Sequence, residues 1–304
     1  MLLLFGSGIH AYQRVYSSEL ISIYSTTHQS ASIHKLASML EERIGELQMD
    51  IGIYPRQTAE FYLISTEAEY QKISKGKAEI VEFSDAFYSA REERIYVRGA
   101  EAVHQNYLKI LLHEYIHWYL DQLFIDAPLW FHEGMATYHG NQLSYDSYLL
   151  YIRESFLGDK GNLYRMSYQY PASREDWPQF YYSSAMALRF MQNKHPKAWQ
   201  DFWEIVAESH KQVQRIRFNQ AFTKSYGLSL WDFHQAYERY SKRQSYLYLV
   251  IGINSLIFLS MPVIMLLVAR KRRKRMLMLP DIEESGEEPI LPVQEGEPGD
   301  KDPN

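Results

Sequence analysis

The chain has no cysteine among its 304 residues. That excludes a disulfide framework, a thiolate metal site and a cysteine nucleophile, so any metal ion must be held by histidine and carboxylate. A basic surplus is missing too: 32 lysines and arginines stand against 37 aspartates and glutamates, a formal net charge of −5. The acidic C-terminal tail more than accounts for that balance, and no nucleic-acid partner is implied. No internal repeat is found. Apolar residues are plentiful, 46% of the chain, enough for one sizeable globular domain or two small ones.

One stretch concentrates chemistry. Leu108, Leu111, Leu112, Tyr115, Ile116, Tyr119, Leu120 and Leu123 recur at three- and four-residue steps, which predicts a helix. Within it stands His113-Glu114-Tyr115-Ile116-His117. Residues four apart share a helix face, so two imidazoles can meet one metal ion, with Glu114 one step round the cylinder and close to any water held there. A catalytic zinc takes three protein ligands and keeps one position open. Glu133, in Trp130-Phe131-His132-Glu133-Gly134-Met135-Ala136, is a suitable third ligand on a second helix. The bland alternative leaves both histidines in the core, where two His and a Glu without partners would be costly.

Other elements follow from periodicity. Ser30–Leu47 carries an apolar stripe of Ile33, Leu36, Ala37, Leu40, Ile44 and Leu47 and predicts a core helix. Residues 51–54, 60–65, 80–83 and 94–98 read as strands, and 67–74 as a short helix. Beyond Tyr138, the stretches 145–156, 181–194, 197–209 and 230–241 read as helices, the last opened by Ser229 and Asp232 in the manner of a capping box. The long polar connection 158–176, with several tyrosines, reads as a lid or a surface loop. The expected class is α+β: a small sheet packed on the metal-binding helix, then a helical half.

The pairing of His-Glu-x-x-His with a later Trp-x-x-Glu-Gly-x-Ala resembles the gluzincin zinc metallopeptidases, specifically the peptidase MA-like family. The resemblance spans about Ile51 to Arg243, and its specific part is confined to these two motifs. It implies Zn2+ as cofactor, with His113, His117 and Glu133 as its ligands, and peptide or protein as substrate. Glu114 then acts as general base and later as proton donor to the leaving amine. Tyr181 with Ser184 resembles the family's Tyr-x-x-Ser, which makes Tyr181 the donor to the oxyanion and Tyr182 the alternative. The resemblance also implies that an edge strand pairs with an extended substrate. The Gly-x-Met-Glu-Asn motif of gluzincin aminopeptidases is missing upstream of His113, which favours an endopeptidase. His132 reads as structural or substrate-facing, and His104 and His139 as ordinary. Asp121 reads as a solvated surface residue or as a partner orienting His117.

The ends differ from this domain, placed at residues 30–243. Within an N-terminal segment 1–29, Met1–Phe5 is a short apolar run followed by Gly6, Ser7 and Gly8. It reads as a signal-peptide remnant or as a plain terminus, being too short to span a bilayer. Residues 246–269 form an uncharged run interrupted by Asn254 and Pro262, long enough for a transmembrane helix. Six basic residues, Arg270 to Arg275, follow it, against Lys242 and Arg243 before it. The expectation is a single-pass membrane protein with a cytoplasmic tail, residues 270–304, and an extracytoplasmic catalytic domain. Residues 280–304 are acidic and rich in Pro and Gly, a composition of disorder. The competing function is a membrane-tethered binding module or scaffold that retains the fold without catalysis.

Overall fold

The computed structural model describes residues 12–26, 30–75, 85–98, 107–143 and 163–276. It is a mixed α and β chain in two units, 1–249 and 250–304. The first begins with strands β1 (Gln13–Ser17) and β2 (Ile21–Ser25), helix α1 (Ser30–Ile51), β3 (Ala59–Ile64), α2 (Glu67–Ser74), β4 (Ala86–Ser89) and β5 (Arg94–Arg98). These strands form a five-stranded sheet in the order β1-β2-β3-β5-β4. The outer pairs are antiparallel and the inner two, β2 with β3 and β3 with β5, are parallel. Parallel neighbours require a crossover, and α1 supplies the first.

Alternation along the strands gives the sheet two faces. Ile21, Ile23, Phe61, Leu63, Ile95 and Val97 enter the main core. On the other face the register aligns Tyr24, Tyr62, Tyr96 and Phe87 across four strands. Tyr24 and Tyr62 stack at 4.8 Å, and Phe87 lies 5.2 Å from Tyr96. Cross-strand aromatic pairs of this kind are a principal source of sheet stability.

Several expectations change here. The sheet starts inside the segment set apart as 1–29, because β1 and β2 are part of it. Residues 51–54 are not a strand: the apolar stripe of α1 continues through Ile51, and Gly52, at φ +78°, ends the helix with its N–H on the Gln48 carbonyl. The helix expected at 145–156 and the strand expected at 80–83 lie outside the described residues.

The helical part consists of α3 (Tyr107–Leu123), β6 (Phe124–Ile125), α4 (Leu129–His139), α5 (Trp177–Lys194), α6 (Pro196–Lys211), β7 (Ile216–Arg217), α7 (Phe218–Tyr226) and α8 (Leu230–Met276). Helix α3 packs against α1, β4 and β5 on one side of the chain's order and against α4 on the other, so the sheet rests directly on the helix that carries His113. Helices α4 and α5 approach very closely. A Cβ at Gly134 would lie 2.6 Å from the Ser184 carbonyl oxygen, so no larger residue fits without a shift. Strands β6 and β7 pair in parallel, and the Arg215 guanidinium donates twice to the Phe124 carbonyl, at 3.0 and 2.8 Å. This clip joins the exit of α3 to the entry of α7.

The second unit contains the continuation of α8 to Met276, followed by residues outside the description. Among the described residues, α8 is the one helix long and apolar enough to cross a membrane, with a mean hydropathy of 2.3 over its most apolar window and none of that window buried. Its apolar side chains are open from Val250 to Val268. This supports membrane association through a single helix, which can contact a lipid bilayer.

Candidate metal centre

Helix α3 is apolar nearly all round because it is covered nearly all round, with Leu111, Leu112, Tyr115, Ile116, Trp118, Tyr119 and Leu120 in the core. Two polar ties fix its rotation. Gln48 of α1 donates to the Tyr115 hydroxyl at 2.8 Å, and the Tyr119 hydroxyl donates to the Ile53 carbonyl at 3.0 Å. His113 and His117 are thereby turned to α4, their rings 4.8 Å apart.

Helix α4 brings Glu133 between them. Its Oε2 lies 3.3 Å from His113 Nε2, and its Oε1 lies 3.7 Å from His117 Nε2. The three residues offer ligand atoms all within 4.8 Å of one another. His113 and Glu133 are buried, at 7% and 3% exposure. Glu133 Oε2 and His113 Nδ1 have no hydrogen-bond partner. Buried polar atoms are normally satisfied, so a carboxylate oxygen left bare between two imidazoles suits a cation. These three residues form a buried group able to hold a metal ion, and its donors are the nitrogen and oxygen types that zinc accepts.

Charge in the group is tightly coupled. Burial favours the neutral form of His113, but the Glu133 carboxylate facing it at 3.3 Å outweighs burial and raises its pKa above the usual value. Burial dominates at His117 and lowers its pKa to about 3. For Glu133, burial opposes ionisation, yet His117 and His113 overcome it and keep the carboxyl below its ordinary range. Glu114 is buried as well, and burial raises its pKa to about 7, with His113 and the Tyr88 backbone N–H pulling the other way and the Glu133 charge adding to the rise. Tyr88 belongs to β4, which ends the strand order among the described residues, so a sheet edge borders the residue nominated as base.

Of the two tyrosines considered for the oxyanion, Tyr181 meets His113 edge-on at 6.0 Å, whereas Tyr182 is buried one step round α5. Burial first, then the charges of Glu133 and Glu114, push the Tyr181 phenol well up, so it stays a donor. A third tyrosine was not singled out from the sequence. Tyr170 is stacked on Trp177 at 5.3 Å and lies 5.8 Å from Phe180. Although the residue is 36% exposed, the surroundings of its phenol, first by desolvation and then by the Glu133 carboxylate, push its pKa well above normal. The only hint in the sequence is its place in the tyrosine-rich connection read as a lid or loop.

Asp121 does not orient His117. Its carboxylate lies 3.9 Å from His132 Nε2, and the His132 ring stacks on His117 at 5.7 Å. The spacing of four residues puts Asp121 a turn beyond His117, but its side chain leans to α4. His139, at the end of α4, is not in the metal group, and His104 lies outside the described residues. No protein-family model matches this chain, and no curated protein matches it.

Proposed function

We propose that this chain is a membrane-anchored zinc metallopeptidase of the gluzincin kind that cleaves peptide bonds outside the cytoplasm, as an endopeptidase. The observation that carries the reading is the convergence of His113, His117 and Glu133 with Glu114 buried at the same helix turn. A binding module would need the ligands but not that extra carboxylate. Zinc held by the three ligands would polarise the scissile carbonyl and make water a nucleophile near neutral pH.

The protein groups then divide the work. Glu114 accepts the proton from the attacking water and delivers it to the departing amine, a role suited to a carboxyl raised to about 7. Tyr181 and Tyr170 supply hydroxyl donors for the oxyanion that develops on the carbonyl. The outer edge of β4, last in the strand order among the described residues, offers backbone groups to an extended substrate, whose pairing there would set it across the metal group. The six basic residues after Ala269 favour a cytoplasmic tail and an extracytoplasmic domain.

The test separates holding metal from chemistry in the full-length protein. Glu114→Gln keeps side-chain size and both histidines, and should retain zinc while cleavage of an unbiased peptide library falls by about two to four orders of magnitude. Tyr181→Phe and Tyr170→Phe in the same assay identify the oxyanion donor as the one costing about 10²–10³ in kcat. Unchanged cleavage by Glu114→Gln defeats the mechanism. A wild type that holds zinc and cleaves nothing supports the scaffold instead.

A further inference from the structure

The apolar stretch of α8 holds three polar side chains among its described residues between Val250 and Val268, and they are not in the same position. The Ser255 hydroxyl donates to the Ile251 carbonyl at 2.9 Å, and the Ser260 hydroxyl to the Ile257 carbonyl at 2.8 Å. Both serines are satisfied by their own helix, as hydroxyls in membrane helices commonly are. Asn254 is exposed, and its side-chain amide makes no hydrogen bond among the described residues. It stands eight residues beyond Tyr246, about 12 Å along the helix axis, and so inside the hydrocarbon when the helix spans. There no water can serve it, and an unsatisfied amide is costly.

The residues around Asn254 form a seam. Val250, Asn254, Ile257, Met261, Ile264 and Val268 follow alternating four- and three-residue steps, all of them exposed. That spacing, averaging 3.5, keeps one stripe facing a neighbouring helix over several turns. Pro262 falls next to the stripe rather than in it. A carboxamide carries both donor hydrogens and an acceptor oxygen, so two copies can satisfy each other reciprocally about a two-fold axis.

We propose that α8 self-associates in the membrane, with Asn254 hydrogen-bonded to Asn254 of a second copy of this chain and the flanking apolar stripe packed around the pair. The occupant follows from the chemistry: the surface is apolar apart from one self-complementary amide, and an identical helix presents its match. Asparagine at a single seam position fixes register and partner number in helical pairs, and interhelical hydrogen bonds through such side chains hold membrane helices together. The association requires the helix to be in the bilayer and is independent of the peptidase reading.

The cysteine-free chain allows a direct test. Single-cysteine variants of the full-length protein in its native membranes would be oxidised with copper phenanthroline and read on non-reducing gels. Val250→Cys, Ile257→Cys and Met261→Cys should give a disulfide-linked band of twice the mass, and Leu259→Cys and Leu266→Cys, on the opposite face, should not. Combining each seam cysteine with Asn254→Leu should weaken association about tenfold, and Asn254→Gln should restore much of it. Cross-linking equal on both faces, or unaffected by Asn254→Leu, overturns the proposal. A seam that cross-links only to a different protein does so too, and assigns Asn254 to that partner. Release of the unmodified protein by alkaline carbonate would remove the bilayer setting and the proposal with it. Cleavage activity is not a readout here, so failure of the peptidase reading leaves the outcome unchanged.

Discussion

His113 and His117, beside Glu133 of α4, can be set against His234, which lies beside Trp130 of the same helix. All three side chains are largely removed from water. His234 is 2% exposed, neither of its ring nitrogens has a hydrogen-bond partner, and its neighbours are aromatic: Trp130 and Tyr164, each at 6.2 Å. Burial alone acts on it and lowers its pKa to about 4. His113 is equally enclosed, yet its pKa moves up because Glu133 faces it. One environment holds a neutral ring as a packing piece. The other gathers lone pairs and negative charge around a point where no cation stands among the described residues. Burial lowers His117 as it lowers His234, so the difference is one of geometry: a carboxylate reaches both rings of the pair and none reaches His234 among the described residues.

The largest expected effect breaks this comparison at its centre. Glu133→Ala removes a ligand, and metal affinity should fall by more than the roughly 10- to 100-fold typical when a residue that merely orients a ligand is lost. His234→Leu should keep the full metal content. Elemental analysis of both purified variants decides it, and equal loss in the two would erase the distinction.

The second effect concerns pH. In the unfolded chain His234 titrates near 6.5, and in the fold near 4. Between those values the unfolded state binds more protons, so stability rises with pH. The contribution is complete above about pH 6.5 and is lost progressively toward pH 4, amounting to about 3 kcal/mol at most. Unfolding followed by tryptophan fluorescence across this window should show the slope, and His234→Phe should flatten it. An unchanged slope would move the proton uptake elsewhere.

The smallest effect tests how α4 is seated. Gly134→Ala drives a Cβ toward the Ser184 carbonyl and should lower stability by about 1–3 kcal/mol, as overpacking does. Because Glu133 is the adjacent residue, metal affinity should fall with it. A variant as stable as wild type, with normal metal content, would show that the helices separate without cost.

Helical periods were legible in this chain, and so were the strands expected at 60–65 and 94–98, which are β3 and β5. The stripe around His113 and the motif around Glu133 stand on helices of 17 and 11 residues, long enough for spacing to place ligands on a face. Strands β1, β2 and β4 have five, five and four residues, too few for alternation to rise above its surroundings. Ile51 and Ile53 imitated a strand because helix and strand patterns coincide over so short a span, and Gly52 sat between them. Of the two readings of Asp121, the lesser one, orienting His117, failed for another reason. Spacing along a helix puts a residue near a face, but only packing decides that His132 draws its side chain away from His117. Tyr170 was illegible because nothing local separates it from the chain's other tyrosines, 25 in all. What singles it out is Glu133, 37 positions earlier in the numbering and adjacent only after folding.

The clip between β6 and β7 has a consequence for the order of assembly. Arg215 grips the Phe124 carbonyl across 91 residues of sequence, a contact whose loop-closure entropy must be met before it returns any stabilisation. A ribosome delivers His113, His117 and Glu133 well before it delivers Arg215. The ligands therefore emerge while the corner between α3 and α4 is still unclasped, and the last strand to arrive is the one that closes it. A chain interrupted before Arg215 would carry His113, His117 and Glu133 without the contact that ties the exit of α3 to the entry of α7.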